Sequence, residues 1–164
     1  MQETGISFGY IFFFLRIYKR ISHLMTFSFK SRITIEGWNV RTLTGLSKLD
    51  SSLNEMKIYQ MDMLGLSKIN WLDQGEHFTQ HDSLFIYSWN KQARRQWVGF
   101  LTATKARRSH LEAQLVSDSI IKARFKTKFR KVTLFQCYAP TEPDYDATKD
   151  ILYDRLASSV NQTP

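Results

Sequence analysis

The chain has 164 residues, enough for one ordinary domain, and 43% of them are apolar, so it can bury a core and wholesale disorder is excluded. Lys and Arg outnumber Asp and Glu by 23 to 15, a formal charge of +8, and that excess points to polyanions, nucleic acid first. The single cysteine, Cys137, excludes a disulfide scaffold and any cysteine-based zinc knuckle, and it fits a reducing intracellular setting, nuclear or cytoplasmic.

The first apolar run, ISFGYIFFFL from Ile6 to Leu15, is half the roughly 20 residues that a spanning helix needs. A signal peptide carries positive charge ahead of its apolar run, whereas here Glu3 precedes and Arg16, Lys19 and Arg20 follow. The reading is an accessory helix or a poorly ordered leader, with a signal-anchor as its alternative and no stable membrane insertion expected. Residues 1–32 are therefore set apart as an unassigned apolar and basic leader, and residues 33–164 as the domain.

Residues 33–38 alternate apolar with polar or small, which suits a strand. Leu46, Leu49, Leu53 and Met56 recur at helical spacing among Lys, Ser and Glu, an amphipathic helix. The short apolar run 63–66 predicts a buried strand, and 84–89 and 98–103 two more. Ile121, Ala123, Phe125 and Thr127 alternate with Lys122, Arg124, Lys126 and Lys128, a strand with one apolar and one basic face. A further strand covers 132–138. Ile151, Leu152, Leu156 and Val160 mark a final helix, with Asp144 and Asp146 placed ahead of it where carboxylates favour the positive end of the helix dipole. Strands and helices in this order predict a mixed α/β layer fold.

Common catalytic motifs are missing from the sequence: there is no glycine-rich phosphate loop, no G-x-S-x-G and no H-E-x-x-H. His77 and His81 are four apart without an evident third ligand, so they read as two exposed histidines rather than a zinc site. Cys137 lies in an apolar strand and reads as a buried, inert thiol. Asn161-Gln162-Thr163 is a formal glycosylation sequon without a convincing secretory signal.

The informative residues are four strings at strand ends. They are Trp38-Asn39-Val40-Arg41-Thr42-Leu43, Leu64-Gly65-Leu66-Ser67-Lys68-Ile69-Asn70-Trp71, Ile121-Lys122-Ala123-Arg124-Phe125 and Gln136-Cys137-Tyr138-Ala139-Pro140-Thr141. In order and spacing they resemble the endonuclease/exonuclease/phosphatase superfamily. More narrowly they resemble the apurinic-type endonuclease domain of non-LTR retrotransposons and the host-encoded craniofacial development protein 2-like proteins. The resemblance runs from Ile33 to Val160.

It implies a four-layered α/β sandwich, two sheets face to face with helices outside, and Mg²⁺-dependent cleavage of a phosphodiester by an activated water. It implies an active-site role for Asn39 and a scissile-phosphate contact for Tyr138, with Arg41 and Thr141 beside them on nucleic acid. The pattern breaks at Lys68, where the family carries a metal-ligating Glu. An ammonium cannot coordinate Mg²⁺, and at about 4 Å and an effective dielectric of roughly 20 it repels the ion by several kcal/mol. The family's Gly-Asp-Phe-Asn and Ser-Asp-His strings do not follow Val160. Ser117-Asp118-Ser119-Ile120 also departs, where related elements carry Arg after Asp.

The expectation is therefore an incomplete four-layered α/β sandwich that leaves a sheet edge free for self-association. It holds Mg²⁺ unproductively, if at all, and is catalytically inactive. Arg94, Arg95, Lys122, Arg124, Lys126 and Lys128, with Trp89 and Trp97 near them, are candidates for weak, largely non-specific contact with a DNA backbone. A non-catalytic nucleic-acid-binding module and a relic reading frame without selected activity remain the alternatives.

Overall fold

The computed structural model describes residues 10–14, 21–28, 31–43, 45–69, 75–79, 82–88, 97–126, 131–139 and 146–163. Ten strands and three helices are assigned among them. In chain order these are β1 (Tyr10–Phe14), β2 (Ile21–Ser28), β3 (Ser31–Leu43), α1 (Leu46–Ile58), β4 (Met63–Ile69), β5 (Gly75–Phe78), β6 (Leu84–Tyr87), β7 (Trp97–Thr102), α2 (Thr104–Arg107), β8 (His110–Ser117), β9 (Ile120–Lys126), β10 (Lys131–Cys137) and α3 (Asp146–Asn161). One sheet has the order β1-β10-β9-β8 and the other β2-β3-β4-β7-β6-β5.

The sheets pack face to face, and the period of two along each strand decides which residues meet. Ile35, Met63, Ile86 and Phe100 of the larger sheet share one apolar cluster with Ile121, Phe125, Val132 and Leu134 of the smaller. On the far side of the larger sheet, Leu64, Leu66, Phe85 and Leu101 meet Leu49, Leu53 and Met56 of α1. On the far side of the smaller sheet, Ile120, Phe135 and Cys137 meet Leu152 and Leu156 of α3. The chain is thus an α/β sandwich with α1 against one outer face and α3 against the other. Leu49, Leu53 and Met56 of the first helical spacing and Leu152 and Leu156 of the second are buried, whereas Leu46 and Ile151, read with them, are exposed.

The N-terminal residues differ from the helix reading. Residues 10–14 form a strand that runs parallel to β10, Phe14 opposite Cys137, and residues 21–28 pair antiparallel with β3. A short apolar run is compatible with either element, and one rich in Phe and Tyr fits a strand once a sheet edge offers it partners. β5, α2 and β8 had no sequence signal strong enough to read: the strands are at sheet edges and α2 is a single turn. Among the described residues, no helix is long and apolar enough to cross a membrane.

Two glycines mark close approaches. A Cβ on Gly99 would meet the Ile86 carbonyl oxygen at 2.5 Å and the Tyr87 Cβ at 3.0 Å. A Cβ on Gly65 would fall inside contact distance of the Gln136 amide, which reaches across from the other sheet. Gly65→Ala is expected to destabilise the fold by about 1–3 kcal/mol in urea unfolding, as overpacking does. If the Gln136 side chain is the obstacle, adding Gln136→Ala will recover part of that loss; strict additivity of the pair would refute it.

Cys137 is fully buried, and burial pushes its thiol pKa up to about 12. It stays protonated at neutral pH, because desolvation disfavours the thiolate. A thiol reagent should therefore leave the native chain unmodified from pH 7 to 9 and titrate one thiol after denaturation; fast native labelling would contradict this burial.

Candidate functional site

β3 and β4 are parallel, with Gly37 opposite Gly65 and Asn39 opposite Ser67. Opposed residues share a face, and Ile35 opposite Met63 shows that this row faces the other sheet. The smaller sheet answers with Gln136, two residues past Leu134 on the same face of β10. Gln136 is completely buried, and its Nε2 donates to the Ser67 hydroxyl at 2.9 Å. Its Oε1 has no hydrogen-bond partner. Gly65 leaves the room that this amide occupies. This contact forms a floor between the sheets.

Above the floor stand Lys68 and Tyr138. The pairing of β4 with β7 shifts register between Ser67 and Ile69, which makes Lys68 the residue of a bulge. Its φ is +61°, in the left-handed region that L residues rarely adopt. The bulge turns the half-buried Lys68 so that its Nζ lies 5.5 Å from the centre of the Tyr138 ring, within cation–π range. Tyr138 is only 3% exposed. Its backbone N–H donates to the Ser119 carbonyl at 3.0 Å, in the turn between β8 and β9. The Ser88 hydroxyl donates to the carbonyl of the neighbouring Asp118 at 3.3 Å and accepts the Val98 N–H at 3.0 Å. The string at 117–120 is thus the turn that ties the two sheets beside Tyr138.

The structure brings Asn39, Lys68 and Tyr138 to one end of the sandwich and separates them from the basic residues. Lys122 lies opposite Phe135 and Arg124 opposite Thr133, on the face of the smaller sheet that carries α3. Arg124 lies 3.5 Å from the Glu112 carboxylate in an ion pair. Lys126 stands directly opposite Lys131, at the start of β10. From there to Tyr138 is seven residues of extended chain, about 23 Å. Arg41 belongs to β3, with only its backbone described. Arg94, Arg95, Lys128, Thr141, Trp89 and His81 lie outside the described residues, as does the side chain of Trp97.

One carboxylate, Asp118, stands in the turn beside Tyr138, where its Oδ1 accepts from the Ser119 hydroxyl at 3.5 Å. Glu36 is on the opposite face of β3, beside Leu64, where its Oε2 accepts from the Trp38 Nε1 at 3.1 Å. Among the described residues, no three His, Cys, Asp or Glu side chains converge. The donor set is an ammonium with amides and a hydroxyl, beside the Tyr138 ring, which is suited to an anion rather than a hard cation. A cleft of about 360 Å³ lies elsewhere between the sheets, lined by Glu76, Ile86, Tyr87, Leu115 and Ile121 among others, and it collects none of the residues read from the sequence. Sequence reasoning included Gln136 and Ser67 in the strand-end strings but gave neither a role. The available signal was a lone polar residue at a core-facing position of each strand.

No family model matches the chain. Craniofacial development protein 2 of Bos taurus is 30% identical over 135 residues, 82% of this chain and 22% of that protein. Craniofacial development protein 2 of Tragulus javanicus is 28% identical over 135 residues, 82% of this chain and 23% of its own length. The chain therefore spans less than a quarter of the length of the curated relatives it matches. Over that span the chain is similar to craniofacial development protein 2, and the likeness supports a related family.

Proposed function

We propose that the chain is an endonuclease/exonuclease/phosphatase-type domain of retrotransposon descent that grips nucleic acid by its phosphates and does not hydrolyse them. Homology to craniofacial development protein 2 and the order of the four strand-end strings support the descent. One observation carries the loss of hydrolysis: Lys68 points its ammonium over Tyr138 where the superfamily pattern has a metal-ligating carboxylate. Mg²⁺ takes oxygen ligands in a near-ideal octahedron, carboxylates among them. Asn39, Ser67, Gln136, Tyr138 and Lys68 do not fit that ion. A hydrolytic step also needs a water-activating base, the usual choice being a His or a carboxylate, and this set contains neither.

Binding without cutting then rests on charge. Eight excess positive charges favour a phosphate backbone, and such contacts carry little base information. Lys126 and Lys131 add a local reason. Like charges directly opposite on neighbouring strands destabilise a sheet, and an anion between them removes the penalty.

The decisive test is nicking of supercoiled plasmid by folded protein, with Mg²⁺ and with chelator, beside retention on immobilised DNA across a salt series. Intact plasmid in both conditions is expected, together with retention that falls steeply with salt. Mg²⁺-dependent nicking that disappears in Tyr138→Phe would overturn the reading, as would absence of retention at low salt. A companion variant, Lys126→Glu, replaces repulsion with attraction to Lys131. It should raise stability by roughly 0.2–1 kcal/mol at low salt in thermal unfolding while weakening DNA retention. A loss of stability would show that the two lysines do not repel.

A further inference from the structure

Within the nucleic-acid reading above, we infer that Lys68 is the built-in cation of the strand-end site and binds a phosphodiester without any divalent metal, with the Tyr138 ring as its positioning residue. Three observations converge on Lys68. Three non-glycine residues among those described have positive φ: Gln60, Lys68 and Asp82. Gln60 follows the end of α1 and Asp82 precedes β6, both in connections where such backbone is common. Lys68 adopts it inside a strand, at a bulge, and an outlier of that kind points to function when the surroundings hold it in place.

The surroundings do hold it. Ser67, the residue before it, is locked from the other sheet by Gln136. The Tyr138 ring lies under the ammonium at 5.5 Å, and Tyr138 is itself fixed through Ser119. No carboxylate is paired with Lys68 among the described ion pairs, so the positive charge at this end has the ring for a partner and stays available to an anion. A ring face neutralises no charge, and an ammonium over it still donates hydrogen bonds away from it.

Burial divides the labour between the two residues. Tyr138 is 3% exposed and Lys68 is half-buried, so an incoming phosphate meets the ammonium first and the phenol contributes through its ring. The Tyr138 hydroxyl is then dispensable for binding while the ring is not. A divalent cation added to the solution competes for the phosphate rather than assisting.

The test is titration of a short labelled duplex in chelator, with salt varied from about 50 to 200 mM, for the wild-type chain and four variants. Each lysine–phosphate contact contributes about 0.9 to the slope of log affinity against log salt. Lys68→Gln should lower that slope by about 0.9 and Lys68→Arg should restore it. Tyr138→Phe should match wild type, whereas Tyr138→Leu should weaken binding. Thermal unfolding of each variant identifies any that fails to fold, and Lys68→Gln and Lys68→Arg, changed at a half-buried position, carry the argument if a Tyr138 variant does. An unchanged slope in Lys68→Gln overturns the inference while leaving the nucleic-acid reading intact. So does Mg²⁺ that tightens binding at constant ionic strength. No binding by the wild-type chain overturns both.

Discussion

The geometry of the strand ends depends on a polar contact that crosses the apolar interface between the sheets. Gln136 crosses from the smaller sheet to the Ser67 hydroxyl of the larger, and it does so against a glycine because no other residue leaves the room. Its net energetic value is small. A buried hydrogen bond contributes about 0.5–1.5 kcal/mol, and a buried oxygen left without a partner costs about 1–3 kcal/mol. Gln136 has one of each, so the pair of effects does not favour glutamine over a packed apolar side chain. What the amide supplies is position. It sets the spacing of the sheets where β3, β4 and β10 end, and it pins Ser67 immediately before the bulge that turns Lys68.

From that pin the rest of the end follows. With Ser67 fixed, the extra residue of β4 has to leave the pleat, and it leaves in a left-handed conformation with its side chain toward the other sheet. Tyr138 stands two residues beyond Gln136 on the same face and receives it. The turn at 118–119 then closes on Tyr138 and on Ser88, so both sheets contribute to the position of a single ring. The same period of two that puts Gln136 and Tyr138 inside puts Lys122 and Arg124 outside. The bulge at Lys68 places one cation at the strand ends, and the alternation of β9 places others on the outer face.

Much of this was legible in the sequence. The helical spacing of Leu49, Leu53 and Met56 is the stripe that α1 buries, and the alternation through 121–125 reports the two faces of β9. Asn39, Lys68 and Tyr138 were found because strand-end strings keep their order. The floor beneath them was missed for a physical reason. A polar residue within an apolar strand has no partner visible in one dimension, and Ser67 and Gln136 are 69 residues apart. β1 was missed because a short aromatic run takes the conformation that its neighbours offer, and its neighbour β10 is far along the chain.

The fate of the bulge position shows how fold and chemistry separate. The charge carried at the bulge does not enter the packing below, which depends on Gly65, Ser67 and Gln136. The sheets do not sense the charge, because Lys68 lies above the floor and meets a ring face rather than an ion. A change of charge at this position is therefore cheap for the fold and large for any ligand at the strand ends. That asymmetry lets a sandwich keep its architecture while the chemistry at its strand ends changes.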